Sequence, residues 1–226
     1  MKKTVYTIVC VFVLAGLTTA CESEIDNKPA AKVEEAAKPT ETAKKAVEEA
    51  PAKEMPGNKM DGAAVYTLDL ATSTFSVVGA KVTGDHTLTF KEMTATADVD
   101  GGKVKSGKVT VQMASVEADV EKLTGHLKSP DFFDVANHPT STFEIVEVKE
   151  GTSAAGTHEV VGNLTMRGAS KKVTFPADIK MEGDAASIKA QFTINRKDFN
   201  IVYAGKADDL IKDDVLIKLE LKFKKG

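Results

Sequence analysis

Cys21 is the residue whose position predicts a covalent modification. It follows a short basic start (Lys2, Lys3), an apolar run from Val5 to Leu17, and the small side chains Thr18-Thr19-Ala20. Basic start, apolar stretch and small residues are what a secretory signal and its peptidase require. A cysteine at the cleavage point reads as a bacterial lipoprotein signal, in which the thiol takes a diacylglyceryl group and the bond after Ala20 is cut. The usual leucine three positions before the cysteine is replaced by Thr18, with Leu17 one step further out. The rival readings are an ordinary secretory signal with an incidental cysteine, and a retained helix. The apolar run is short of the ~20 residues that span a bilayer. Cys10 lies inside the run and leaves with it, so the mature chain has no partner thiol for an internal disulfide.

The other reactive side chains form no catalytic pattern. There is no Gly-x-Ser-x-Gly elbow, no His-Glu-x-x-His and no phosphate-binding glycine loop. An acylated Cys21 is no nucleophile. The histidines are His86, His126, His138 and His158, and none is paired at metal-ligand spacing on one element. Each reads as a local hydrogen-bonding group. We therefore expect no enzyme, no catalytic residue, no metal and no cofactor beyond a bound lipid. Arg167 and Arg196 both end strands with apolar neighbours, Leu164-Thr165-Met166 and Phe192-Thr193-Ile194. A guanidinium at the rim of a barrel can hold an anionic head group through paired hydrogen bonds, and Tyr203 can add a hydroxyl. The plainer alternative is an outward salt bridge.

Charge and composition narrow the partners. The chain has 226 residues, 42% hydrophobic and 28% charged, and losing Lys2 and Lys3 with the signal takes the formal charge from −3 to −5. That balance argues against nucleic acid, which selects a basic face, and against a polybasic grip on anionic lipid. Aromatic residues are 6% and tryptophan is absent, which disfavours sites that stack bases or sugars. Oligomeric state is not legible.

The chain divides into a signal (1–20), a lipidated start and spacer (21–62) and a folded domain (63–226). The spacer is built from Ala, Glu, Lys and Pro, with Pro29, Pro39, Pro51 and Pro56 breaking any helix longer than Glu41–Ala50. Too few large apolar residues are present to offset the entropy of ordering it. It reads as a disordered tether with a mean reach of roughly 35 Å, which can be trimmed between Ala30 and Met55 with little change in stability.

From Val65 the hydrophobic period is two. Val173, Phe175, Ala177, Ile179 and Met181 alternate with polar residues, as do Ile188, Ala190, Phe192 and Ile194, and then Val215, Ile217, Leu219, Leu221 and Phe223. Each is a strand with one buried and one wet face. Shorter candidates are 74–81, 87–91, 93–98, 106–113, 142–149 and 160–166, with turns expected at Asp100-Gly101-Gly102, Glu150-Gly151 and Glu182-Gly183-Asp184. This all-β pattern fits a closed barrel or a two-sheet sandwich. Lack of a Cys…Trp…Cys core disfavours the immunoglobulin version. One segment has helical spacing: Val116, Val120, Leu123 and Leu127, with Ser115 placed to cap and Pro130 to stop it. Phe132-Phe133 follows, and we expect helix and rings to roof one end of the barrel. Modest inward side chains such as Val77, Ala177, Ala190 and Ile217, with Phe90, Phe175 and Phe192, fit a barrel with a lumen cavity as well as one packed solid.

Several runs carry a family resemblance. GAKVTGDHTLTF (79–90), KLTGHLKSPDFFDVANHPTSTFEI (122–145), GNLTMRG (162–168), VTFPA (173–177) and NRKDFNIVYAGKADDLIKDDV (195–215) resemble the YceI-like family, in order, across 63–226. Asn200 departs from it, standing where the family often has Gly after the Asp-Phe pair. The resemblance implies a lipocalin-like antiparallel eight-stranded β-barrel holding a long-chain amphiphile, such as a polyisoprenoid or fatty-acid derivative. It also adds His86 and His126, which fall within the matched runs, to the ligand-binding candidates Phe90, Phe132, Phe133, Phe175, Phe192, Arg167, Arg196 and Tyr203. The expected role is lipid binding as a carrier or scavenger in the bacterial cell envelope. The anchor is expected in the outer membrane, facing the periplasm, by analogy, since Glu22 is not the aspartate associated with inner-membrane retention. The alternative is a stress-protective envelope protein whose barrel is packed solid.

Overall fold

A computed structural model describes residues 23–36, 64–153 and 155–226. The signal, Cys21 and residues 37–63 lie outside them. The alternating segments form the strands β1 (Lys32–Glu35), β2 (Ala64–Leu68), β3 (Thr74–Lys81), β4 (Gly84–Phe90), β5 (Met93–Asp100), β6 (Lys103–Gln112) and β7 (Val116–Ala118). After the helix α1 (Glu121–Lys128) come β8 (Thr140–Ser153), β9 (Gly156–Met166), β10 (Ala169–Glu182), β11 (Ala185–Asn195), β12 (Gly205–Lys206) and β13 (Asp209–Lys225).

Eight strands close on themselves in the order β10-β9-β8-β6-β5-β2-β13-β11, with β11 pairing back to β10. Every pairing in this ring is antiparallel. Closure leaves no exposed edge where these strands pair. β3, β4 and β7 extend the wall beside the long β13 at one end. Tight turns join neighbours where the backbone can turn left-handed. Gly101 and Gly102 both have positive φ between β5 and β6, and Arg167-Gly168 do so between β9 and β10. Two successive positive-φ residues match the twist of a two-residue hairpin.

Two expected boundaries fall elsewhere. No turn forms at Glu150-Gly151, because β8 runs through them to Ser153 and only then reverses. Ser115 caps no helix: its hydroxyl accepts from Glu92 N and donates to Gln112 O. Val116 lies in β7, and the helix begins only at Glu121. Pairing of β7 with β4 claims the backbone that an earlier helical turn would need.

The largest correction concerns the spacer, because its described part, 23–36, is docked on the barrel. β10 and β11 stay paired only from Asp178–Lys189 to the hairpin at Glu182–Ala185. Beyond that they part, and the N-terminal arm fills the split. Thr193 exchanges backbone hydrogen bonds with Pro29 and Ala31, and β1 pairs antiparallel with Lys171–Thr174 of β10. Ala31 and Val33 pack on the core side chains of this half. Nearer its start, Ile25 is buried with Val78, Ala80 and Leu216. Val78 and Leu216 alternate with Val77 and Ile217, which line the lumen, so they face outward and Ile25 covers them. A segment poor in apolar residues is ordered here by completing a sheet, where backbone hydrogen bonds supply what its side chains lack.

Candidate functional site

The inward side chains do not meet across the barrel. They leave a cavity of about 390 Å³, within the ~300–1,000 Å³ range of small-molecule sites. Aromatic rings shape its wall. Phe175 stacks on Phe192 with centroids 4.0 Å apart, Phe143 leans on Phe175 at 5.5 Å, and Phe75 stacks on Phe90 at 5.1 Å. Gly162 makes room for the Phe143 ring, since a Cβ there would stand 2.3 Å from Phe143 Cζ. The remainder is largely aliphatic, from residues such as Leu88, Val109 and Leu219.

At one end the lining becomes polar. Lys81, His86, Lys206 and Asp209 reach the cavity there, and Lys206 is exposed, so this end is the mouth. Lys81 Nζ lies 2.7 Å from Asp209 Oδ2, and that hydrogen bond, with those from Thr83, holds the Asp209 carboxyl below its ordinary pKa. His86 Nδ1 is 2.9 Å from Asp119, and His126 Nε2 is 2.8 Å from Asp131. The His126 ring also meets Phe132 edge-on at 4.9 Å and Tyr203 at 5.1 Å. Among the described residues no three His, Cys, Asp or Glu side chains converge as metal ligands would, and no buried side-chain nitrogen or oxygen lacks a hydrogen-bond partner. The lumen thus offers no orphan polar group to draw a head group inward.

Nine of the ten ligand-binding candidates line this cavity: Phe90, Phe132, Phe133, Phe175, Phe192, Arg196, Tyr203, His86 and His126. Phe132 and Phe133 are both 8% exposed. Phe133 meets Phe90 edge-on at 5.9 Å, whereas Phe132 belongs to the cluster with His126 and Tyr203. Arg167 is outside the lining. It occupies the left-handed first position of its hairpin and donates to the Pro130 carbonyl.

Arg196 lines the cavity but is not free to hold a head group. It is 4% exposed, and its guanidinium donates to the carbonyls of Lys212 (3.1 Å), Ile201 (2.6 Å) and Ile211 (3.4 Å) and to Asp213 Oδ1 (3.2 Å). Burial lowers its pKa, Asp213 opposes that shift, and an arginine stays charged throughout. Its work is to fold the segment 200–212 over the mouth. Asn200, the departure from Gly, sits in the left-handed conformation that ends the short 3-10 turn Arg196–Phe199. Asn tolerates that conformation, and its amide donates to Arg167 O. Phe75 and Phe143 were missed from sequence, although Phe75 shares the inward parity of Val77 on β3.

Fold and cavity together define a lipocalin-like barrel with an apolar lumen open at one end. Residues 66–223 match the YceI-like domain, and the chain belongs to that family. A UPF0312 protein of Pseudomonas aeruginosa is 37% identical over 123 residues, which cover 52% of this chain and 59% of that protein. A UPF0312 protein of Pseudomonas putida is 30% identical over 138 residues, 58% of this chain and 71% of the relative. The match to the Pseudomonas aeruginosa relative thus spans about three fifths of its length. Among solved structures, Burkholderia cenocepacia BcnA superposes with a TM-score of 0.60 at 25% identity, covering 69% of this chain and 98% of BcnA. A polyisoprenoid-binding domain from Saccharophagus degradans, implicated in plant cell wall breakdown, shares the fold with a TM-score of 0.58 at 14% identity, over 72% and 99% of the two chains.

Proposed function

We propose that this chain binds a long-chain amphiphile, of polyisoprenoid or acyl type, with its tail in the lumen and its head at the mouth. The observation that carries this reading is the cavity of about 390 Å³, lined mostly by aromatic and aliphatic side chains, with Lys81, His86, Lys206 and Asp209 reaching it at the mouth. Burial of a tail is worth ~0.8 kcal/mol per CH₂, so such a lumen needs few directed contacts and no covalent chemistry. The YceI-like family and a neighbour described as polyisoprenoid-binding support the same ligand class. The reading extends to a lipoprotein anchored through Cys21 in the bacterial envelope, serving as carrier or scavenger and not as an enzyme. Signal, cysteine and spacer composition support that extension.

Native mass spectrometry of the full chain, followed by solvent extraction, tests both parts. A co-purifying hydrophobic species and a diacylglyceryl mass on a chain beginning at Cys21 are expected. A lumen that stays empty when offered acyl and prenyl lipids would favour the ligand-free envelope role.

A further inference from the structure

Among the described residues seven large hydrophobic side chains are exposed; Val65 and Leu70 lie on or just after β2 and Val146 on β8, and the other four gather at one end. Val82, Val202 and Leu210 are 74%, 64% and 51% exposed, with Val120 at 46%. Each adjoins the mouth. Val82 follows Lys81, Val202 precedes Tyr203, and Leu210 follows Asp209, all three neighbours being cavity-lining residues. Val82 N donates to the Leu210 carbonyl, and Asp119 N, beside Val120, donates to Thr87 O next to His86. Four exposed apolar side chains therefore stand around the mouth, between the polar residues Lys81, His86, Lys206 and Asp209 that line it. Isolated surface valines need no explanation, but four exposed apolar side chains around one opening do.

The docked arm begins at this same end of the barrel. Ser23 Oγ donates to both carboxylate oxygens of Asp85 (3.1 and 3.0 Å), and Glu24 N donates to Asp85 Oδ2 (3.1 Å), on the hairpin that carries Val82. Asp26 bonds Lys212 at 3.0 Å, and Glu24 pairs with Lys218. Cys21 precedes Ser23 by two residues, so chain length alone keeps it within about 8 Å of Ser23. An acyl group at Cys21 would then start within that distance of the Ser23–Asp85 contact.

We propose that the open end of the barrel is a membrane-docking surface: Val82, Val202 and Leu210 enter the lipid interface, and the arm 23–36 fixes the mouth against the bilayer that holds the anchor. This rests on the reading of Cys21 as acylated and of the lumen as a lipid site. It gives the ligand a path from bilayer to lumen without crossing water. The charges beside these apolar residues are paired, Lys81 with Asp209 and Lys212 with Asp26, so the contact needs no anionic lipid.

The test uses the full acylated chain in phosphatidylcholine vesicles, where an introduced cysteine supplies the thiol for an environment-sensitive dye. Dye on the Val82→Cys variant should be blue-shifted and quenched at least threefold more by lipid-borne doxyl groups than dye on Asp184→Cys. Asp184 lies on the β10–β11 hairpin at the opposite end. Adding Val202→Asp and Leu210→Asp should abolish the difference. Equal quenching at the two positions would overturn the docking surface, whatever the lumen holds. Lipid extraction from the same sample reads lumen occupancy separately, and its mass spectrum reads acylation. A failed lipid site and a failed docking surface therefore give different results.

Discussion

At the scale of single residues, burial and bonding separate side chains that look alike in sequence. Phe132 and Phe133 are adjacent and equally buried, yet Phe133 packs on Phe90 inside the lumen and Phe132 closes a ring cluster at the mouth. Phe133→Ala should cost ~3–5 kcal/mol of stability, read from the denaturation midpoint. Phe132→Ser should instead raise the off-rate of a fluorescent acyl lipid with a smaller loss of stability. Equal off-rates for Phe132→Ser and the native protein would remove Phe132 as a closure. Arg196 also departs from its apparent role. Replacing it with Met orphans the carbonyls of Ile201, Ile211 and Lys212 and should cost about 2–4 kcal/mol. Bound lipid should survive in whatever fraction stays folded, since the guanidinium is spent on the backbone.

At the scale of elements, the arm and the Gly162 site show how neighbouring strands depend on one another. Ile25→Ser uncovers Val78 and Leu216, which are 1% and 0% exposed, and should lower stability by about 2–4 kcal/mol. Deleting 23–36 should cost more, because Thr193 and the free edge of β10 then lose their partners. An unchanged melting transition on that deletion would mean the arm does not complete the wall. On β9, Gly162→Ala places a Cβ against Phe143 and 2.6 Å from the Glu144 carbonyl oxygen. Overpacking of this kind costs ~1–3 kcal/mol or more. Phe143→Leu should rescue it only in part, since the backbone clash remains.

At the scale of the whole molecule, the mouth and the arm share a set of acid-sensitive contacts. Lys212 holds the Asp26 carboxyl below its ordinary value, as Lys81 does for Asp209, and Lys197 followed by Arg196 for Asp213. A carboxylate with a depressed folded pKa stabilises above its unfolded value of ~3.9 and loses that contribution as pH falls through the folded value. The arm and the segment 200–212 should therefore loosen below about pH 4. Hydrogen exchange between pH 5 and 3 measures this, with faster exchange expected at Ala31, β1 and Ile211. Unchanged protection down to pH 3 would show that these exposed pairs hold nothing in place.

Strands, most hairpins and the family were legible because their causes are local or carried by motif. Side-chain alternation along β10, β11 and β13 needs only the two-residue period of an extended chain, and Gly101-Gly102 and Gly183 mark turns by their own freedom. Nine cavity-lining candidates followed from inward parity and the family runs. Tertiary structure alone decided the rest, because each decision joins residues far apart in the chain. Glu24 meets Lys218, and Pro29 meets Thr193, only once the barrel has closed. A polar, proline-broken segment cannot order itself, but an unfilled split between two strands can order it by offering backbone partners. The signal was present in Val78 and Leu216, apolar residues on the wet side of their strands, although nothing local says what covers them. Arg196 likewise reads as a free cation until the fold wraps the carbonyls of 201–212 around it.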